Sequence, residues 1–416
     1  MKSEERPARR PARRGTRIPA YVLLALLTYV LAVLLEGLLI RLPDDLVGAP
    51  SPGERIGAVH IHTKASDGSG TVPEVTAAAR GADLSFIAIT DHNVAMDQAA
   101  VADDPPDFSV ISGEEVTTFS GHFLTLGIPP GWQLPPTKES GALLTATRAA
   151  GGFNIIAHPF HTNIPWTGWE SSDFDAIEVW NEDEVWRRDN WIDLFNAVLL
   201  YGVNDRLALV RLADRPSANF AQWDELLAQR PVVGMCGADA HAAVRLGRGR
   251  ILRFPGYTTV FRVARQHVLL GPNTGGGDPS RASAEEILDA LRHGRAFCAL
   301  DALYPSGGFV SRVSSGGSSG GPGDFVTWAK AGSIHISVPR GSPRPLIKVI
   351  HDGREMMEKE DWTLDAPLAG PGRYRTEVYL RQPGLLGWRR WALWIFSNPV
   401  YVTAPSDAAP PTTTNP

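Results

Sequence analysis

Seven of the eleven histidines, His60, His62, His92, His122, His158, His161 and His241, lie in or beside short apolar runs. The runs end on residue types that bind metal ions. Ile56–Val59 ends in His60-Ile61-His62, Leu84–Thr90 in Asp91-His92, and Phe108–Ser112 in Gly113-Glu114-Glu115. Phe153–Ala157 ends in His158-Pro159, and Val232–Ala238 in Asp239-Ala240-His241. Phe174–Val179 contains Glu178 and is followed, after Trp180, by Asn181. Residues i and i+2 of a strand share a face, so His60 with His62, and Asp239 with His241, are spaced to chelate. Imidazole and carboxylate donors suit zinc, iron or manganese better than magnesium or calcium. A single histidine at a strand end is ordinarily only hydrogen-bonded; the specificity lies in the set.

Such residues need a scaffold that gathers them. Between Ile56 and about Leu300 the apolar runs alternate with helical stretches at Pro73–Arg80, Lys138–Ala150, Glu182–Tyr201 and Ala221–Gln229. That alternation predicts a parallel α/β sheet, either a barrel or an open sheet. In a parallel barrel the carboxyl ends of the strands meet at one face, so separate strand ends would converge on one pocket. His122 precedes its run, Phe123–Gly127, and this geometry alone does not place it.

Residues 43–55 are rich in Pro, Gly and Asp, and 41–55 reads as a linker. Residues 311–323 are almost entirely Ser and Gly and read as a flexible loop. Alternating runs at Ser333–Val338, Leu346–His351, Tyr374–Leu380 and Trp391–Phe396 predict a small antiparallel β-sandwich over 301–404. The Pro/Thr/Ala-rich stretch 405–416 reads as a disordered tail.

Residues 1–17 hold seven Lys/Arg against two Glu, and the run 18–40 is apolar except for Thr28, Glu36 and a few small residues. The run is long enough to span a bilayer, and its basic flank places the N-terminal side in the cytoplasm. This predicts an uncleaved anchor with the catalytic domain on the exported, periplasmic or extracellular, side. A net charge of −5 excludes the broad basic character of nucleic-acid binders. Only Cys236 and Cys298 are present, which excludes a disulfide framework and a Cys-rich zinc site. Both read as buried thiols, with one disulfide open to them in an oxidising compartment.

Several stretches carry a family resemblance. His60-Ile-His-Thr-Lys-Ala-Ser-Asp-Gly resembles the first motif of the polymerase-and-histidinol-phosphatase (PHP) superfamily, and Ile89-Thr-Asp-His-Asn the second. Gly113-Glu-Glu with Gly121-His122, Ala157-His-Pro and Gly237-Ala-Asp-Ala-His resemble the remaining motifs, over about Gly57 to Leu300. Pro371-Gly-Arg-Tyr-Arg and Ser397-Asn-Pro-Val-Tyr-Val resemble the C-terminal part of the branch that includes carbamate hydrolases. The resemblance implies a distorted (β/α)7-type barrel and a metal-dependent hydrolase over 56–300. It implies that His60, His62, Glu115 and Asp239 hold one metal, Asp67, His92 and His241 a second, and Glu115, His122 and His158 a third. Its Gly-x-Glu pattern favours Glu115 over Glu114, and if His122 does not ligate the site holds two metals.

Around these residues, Asp91 is expected to orient a histidine or a water, and His161 to act as a general acid or lie as a satisfied surface histidine. Glu178 and Asn181 are expected to line the pocket, and Arg248 and Arg250 to grip a phosphate or lie in a solvated loop. Trp166, Trp169, Trp180 and Trp186 read as pocket wall or core packing. Three carboxylates among neutral imidazoles leave a two- or three-metal cluster net positive. Such a cluster activates water against a small anionic or polarised substrate, phosphate esters first and carboxyl esters, amides or carbamates second. A non-catalytic metal-binding module is the third reading.

Overall fold

The computed structural model describes residues 19–43, 48, 50–96, 108–188, 190–246, 250–271, 282–384 and 387–405. The basic segment 1–17, Arg248 and all but the first residue of the tail 405–416 lie outside the described residues. Helix α1 (Ala20–Leu39) is followed by strand β1 (Glu54–Ile61), α2 (Val72–Arg80), β2 (Phe86–Ile89), β3 (Ser109–Thr118), β4 (Gly121–Leu126), α3 (Ser140–Ala149), β5 (Phe153–Ile156) and β6 (Ala176–Asn181). Next come α4 (Glu182–Arg187), α5 (Trp191–Tyr201), α6 (Asp205–Leu212), α7 (Ser217–Gln229), β7 (Val233–Ala240), β8 (Val244–Leu246), β9 (Arg250–Leu252), α8 (Tyr257–Val260), β10 (Arg265–Leu269), α9 (Ala284–Arg292) and β11 (Ala296–Ala299). Strands follow to the end: β12 (Val310–Ser315), β13 (Ser318–Gly320), β14 (Phe325–Thr327), β15 (Gly332–Ser337), β16 (Leu346–His351), β17 (Arg354–Glu360), β18 (Thr363–Pro367), β19 (Gly372–Gly384), β20 (Gly387–Ser397) and β21 (Val400–Thr403).

Strands β1 to β7 pair in sequence order and close through β1 and β7 into a seven-stranded barrel. The middles of the strands are largely apolar because both faces are covered; β2 and β5 are buried at every residue. The all-parallel expectation is corrected at one place. Strand β4 is antiparallel to both β3 and β5, because only two residues, Phe119 and Ser120, separate it from β3, and so short a connection can only make a hairpin. Strand β1 divides its pairing. Its first residues pair antiparallel with β10, and from Val59 it pairs with β7. Just beyond the switch, the β1–β7 register shifts between Val59 and Ile61, at His60, whose φ is +69°.

The helices start where their caps dictate. Thr71 and Glu74 form a reciprocal capping box for α2, with Pro73 in its first turn. The single helix expected over Glu182–Tyr201 is two, because the Asn190 side chain accepts from the amides of Ile192 and Asp193 and starts α5 afresh.

The Gly/Ser stretch 311–323 is ordered rather than a loop. Strands β12 and β13 form a hairpin around Gly316 and Gly317, both at positive φ as tight hairpin turns require. One C-terminal sheet runs β13-β12-β15-β18, and the other runs β14-β21-β19-β20 with β16 on β19 and β17 on β16. Val313, Ile334 and Leu364 from the first sheet share a core with Ile347, Val378 and Val400 from the second. The second sheet is continuous with the barrel, since β20 pairs with β11, β11 with β10 and β10 with β1. The expected boundary near residue 300 therefore crosses hydrogen-bonded backbone. Arg215 and Arg375 both grip Glu377, and Arg375 also grips Asp224, tying β19 to the end of α6 and to α7. Cys236 of β7 and Cys298 of β11 are joined as a disulfide with Cα atoms 5.8 Å apart, so they are not free thiols.

Helix α1 is the one described helix long and apolar enough to cross a membrane. Its outward side chains are exposed, while Val33, Glu36 and Gly37 are buried against the domain. Glu36 lies 2.8 Å from Arg211 of α6, which neutralises the one acid in an apolar helix.

Where β1, β10 and the segment after β11 meet, His267 is completely buried between Glu54 (2.7 Å) and Asp301 (3.0 Å), with Ser306 3.2 Å away. Burial pushes the His267 imidazole down, but Asp301 and Glu54 outweigh it and raise it to about 9. A raised histidine stabilises the fold fully below its ordinary value near 6.5 and loses that contribution as pH rises through about 9. The variant His267→Gln is expected to lose on the order of 3 kcal/mol at pH 6. The gap to the unaltered chain should narrow between pH 6.5 and 9, as read by chemical denaturation across pH.

Candidate metal centre

All nine of the expected ligands come together at the carboxyl end of the barrel. Glu115 is their centre, 1% exposed and in contact with five imidazoles. Its Oε2 faces His60 (3.1 Å), His62 (3.0 Å) and His92 (3.3 Å). Its Oε1 faces His122 (2.8 Å) and His158 (3.0 Å). Strand alternation decides between the two glutamates. Glu115 points into the barrel, whereas Glu114 points the other way, into a cleft of about 700 Å³ lined by Asn93, Thr117 and Trp132. There burial alone raises the Glu114 carboxyl to about 7.

His122 reaches Glu115 through the β3–β4 hairpin, whose register sets Thr117 opposite His122. An antiparallel strand begins where its partner ends, so a residue preceding the β4 run belongs at this face. Asp239 lies 3.4 Å from His60 and 3.5 Å from His62. Asp67 lies on the turn after β1, 3.3 Å from His241 and 3.6 Å from His62. Four overlapping groups have donor atoms close enough to share an ion: His60, His62 and Asp239; His62, Asp67, His92 and His241; His60, Glu115 and His158; His92, Glu115 and His122.

Three observations fit this donor set to cations. Among the described residues, the ion pairs of Asp67, Glu115 and Asp239 are all to histidines. His62 Nε2 and His92 Nδ1 are buried and, although 3.0 Å and 3.3 Å from Glu115 Oε2, make no well-directed hydrogen bond. The outer nitrogens of two rings are already engaged: His60 Nδ1 lies 2.7 Å from Glu178, and His241 Nδ1 donates to the Asp239 carbonyl at 2.9 Å. Those contacts hold the proton on Nδ1 and leave Nε2 of both rings as a donor to a metal. Without a metal the cluster neutralises itself. Burial raises the carboxyls of Glu115 and Asp239, but the surrounding histidines hold both well below the usual range. Burial lowers His60 as well, yet Asp239, Glu178 and Glu115 hold it well above its ordinary value. His60, His158 and Asp239 all have φ between +27° and +69°, a region in which non-glycine residues are uncommon.

The chain is similar in fold to three solved structures. A two-domain protein from Bacteroides vulgatus containing a predicted PHP-like metal-dependent phosphoesterase is 14% identical, with a TM-score of 0.39 over 81% of this chain and 94% of that one. A protein from Bifidobacterium adolescentis described as a metal-dependent phosphoesterase is 17% identical, with a TM-score of 0.31 over 47% of this chain and 92% of that one. An amidohydrolase from Chromobacterium violaceum, solved with bound sulfate and no metal, is 15% identical, with a TM-score of 0.31 over 48% and 92%. No family model and no curated protein matches the chain.

The residues expected around the ligands behave differently from expectation. Glu178 and Asn181 are buried behind the cluster and do not line its open side. Glu178 braces His60 and accepts from the His158 amide at 2.7 Å; the Asn181 amide donates to Glu178 (2.7 Å) and Asp239 (3.2 Å). The irregularity in β6 between Glu178 and Trp180 turns both inward. Asp91 touches neither a histidine ring nor the open pocket. It accepts from the Thr63 amide and hydroxyl and from Ser66, and so holds the turn that presents Asp67.

His161 is buried rather than on the surface, its ring 5.4 Å from that of His158. Its Nδ1 accepts from the amides of Asn163 and Ile164, which keeps the proton on Nε2, 3.6 Å from Asp183. Arg250 is exposed on β9, outside any contact with the cluster. Trp166 and Trp180 lie in the core, with Trp169 and Trp186 packed against it.

Two supporting residues escaped the sequence. The Tyr257 hydroxyl donates to the His62 carbonyl and accepts from the amides of Ser69 and Gly70, bracing the turn from 195 positions away. No local signal marks it. Gly237 is the other, since a Cβ there would stand 1.9 Å from Glu178 Oε1; its place in the Gly-Ala-Asp-Ala-His motif was the available hint. Both Gly237→Ala and Glu178→Ala should therefore lower metal affinity by about 10–100-fold. Titration of the metal-stripped chain followed by calorimetry would measure it, and unchanged affinity in both variants would remove Glu178 from its bracing role.

Proposed function

We propose that the chain is a PHP-type metal-dependent hydrolase acting on phosphate esters through two or three divalent ions of zinc, manganese or iron. The observation that carries this is the division of Glu115, whose two oxygens face different sets of histidines and so suit a bridging carboxylate. In this reading His60, His62, Glu115 and Asp239 hold one ion, Asp67, His92 and His241 a second, and Glu115, His122 and His158 a third. A structural metal site is closed by four ligands; nine convergent donors favour a catalytic one. Bound there, the ions supply Lewis acidity.

The chain's own residues complete the arrangement. Asp67, His92 and His241 form the more exposed side of the cluster and mark where a small anionic substrate enters. Glu178 and Asn181 hold His60 and Asp239 rigid beneath it. His161, whose Nδ1 accepts from two backbone amides and whose proton therefore sits on Nε2, can donate a hydrogen bond to a substrate oxygen. The apolar α1, preceded by the basic segment, anchors the enzyme in the membrane with the catalytic domain exported. The Cys236–Cys298 disulfide agrees with an oxidising compartment.

The test joins metal counting to turnover on the purified full-length chain. Elemental analysis should find two or three ions per chain, and a generic phosphodiester should be hydrolysed in the presence of manganese or zinc. Faster turnover of an aryl ester or carbamate would assign the site to carboxyl chemistry. Bound metal with no turnover of any of them would leave a metal-binding module. The variant His60→Ala should lose metal and at least about 100-fold in rate; full activity after metal loss would sink the proposal.

A further inference from the structure

We infer that α5 is a lipid-contacting helix, packed alongside α1, whose exposed apolar face seats the catalytic domain in the lipid. The inference rests on the reading of α1 as a membrane span and adds a second lipid contact to it.

On α5, Trp191 is 75% exposed, Val198 62%, Ile192 45% and Phe195 41%. Their spacing places them along one face of a helix. A row of large apolar residues in water is costly for a soluble surface, and an apolar face of this kind marks a surface that something else covers. The one acid of the helix, Asp193, accepts from the Asn190 side chain at 2.7 Å.

The opposite side of α5 is already occupied by α1. Tyr29 donates to Asn196 at 2.7 Å, and Gly37 sits so close that a Cβ there would meet Val203 at 2.6 Å. Asn204, just past α5, donates to the carbonyls of Gly37 and Ile40. The two helices thus run side by side in the same direction over the second half of α1.

Length then decides what covers the free face. Twenty residues of helix are about 30 Å long, the thickness of a hydrocarbon core, so a spanning α1 has no length to spare. Its second half, from Tyr29 on, cannot lie in lipid while its neighbour α5 lies in water. The Glu36–Arg211 pair joins this half of α1 to the domain. At its other end α5 follows α4, whose Glu184 accepts from the Phe160 amide in the loop carrying His161. The rim of the metal centre is therefore one short helix from the lipid seat.

The test uses the full chain in phosphatidylcholine–phosphatidylglycerol vesicles. Nitroxide labels are placed singly at Val198→Cys on α5, Leu26→Cys on α1 and Glu358→Cys on the exposed β17. Collisions with oxygen, which concentrates in lipid, are compared with collisions with chromium oxalate, which stays in water. The oxygen-to-chromium ratio at Val198→Cys is expected to match that at Leu26→Cys and to exceed that at Glu358→Cys several-fold. A ratio at Val198→Cys as low as at Glu358→Cys, with Leu26→Cys still in lipid, would overturn the seat and leave the anchor standing. Shielding of Val198→Cys from both reagents would overturn it in favour of a protein partner or a second copy. A low ratio at Leu26→Cys would remove the span itself, and the seat with it.

Discussion

The structure is organised around a single carboxylate. Glu115 is buried among five histidines, in a place where a carboxylate could not stay ionised without positive charge beside it. Those five rings come from the ends of four strands, β1, β2, β4 and β5, so the barrel must close accurately before the cluster exists. The burial that makes isolated charges expensive also makes the assembled cluster a strong attractor for cations.

Strand β1 shows how the fold accommodates that demand. It serves two sheets, pairing with β10 along its first half and with β7 at the end that bears the histidines. The left-handed conformation of His60 lies at the register shift between Val59 and Ile61, just past the change of partner. Strain of this kind costs on the order of 1–3 kcal/mol per residue and persists only where surrounding structure holds it. Here it is held by the Glu178 bracket on one side and by Tyr257 on the other. The other end of β1 is secured by the buried Glu54–His267–Asp301 cluster, which also fixes β10 and the chain after β11. From there the sheet continues into the C-terminal strands, so the second half of the molecule buttresses the barrel directly.

The positions of the candidate ligands were legible in the sequence because ligand-forming side chains recur at the ends of apolar runs, and because strand periodicity makes i and i+2 neighbours. That pattern marked His60, His62, His92, the pair Glu114-Glu115, His158, Asp239 and His241, and the motif resemblance chose Glu115 from the pair. Asp67 and His122 were legible only through motif resemblance, since the first lies in a turn and the second begins an antiparallel strand. The apolar run of α1 was equally plain, being a matter of composition and length.

Other features depend on long-range packing, or on a single cap or turn that composition does not distinguish. Glu178, Asn181 and Asp91 are polar residues near strand ends, and nothing in the neighbouring sequence says whether such a side chain faces a pocket or turns beneath it. The split of 182–201 into two helices follows from one Asn190 cap, and the hairpin at Gly316-Gly317 from a turn that composition alone reads as a linker. The disulfide joins β7 to β11 across 62 residues. The sequence by itself determined which residue types meet at the barrel's end and that an apolar helix precedes them, because period and composition are local properties. Only the tertiary structure decided which oxygen of Glu115 faces which histidine, which acids brace the cluster, and that α5 lies beside α1, because these are set by contacts between residues far apart in the chain.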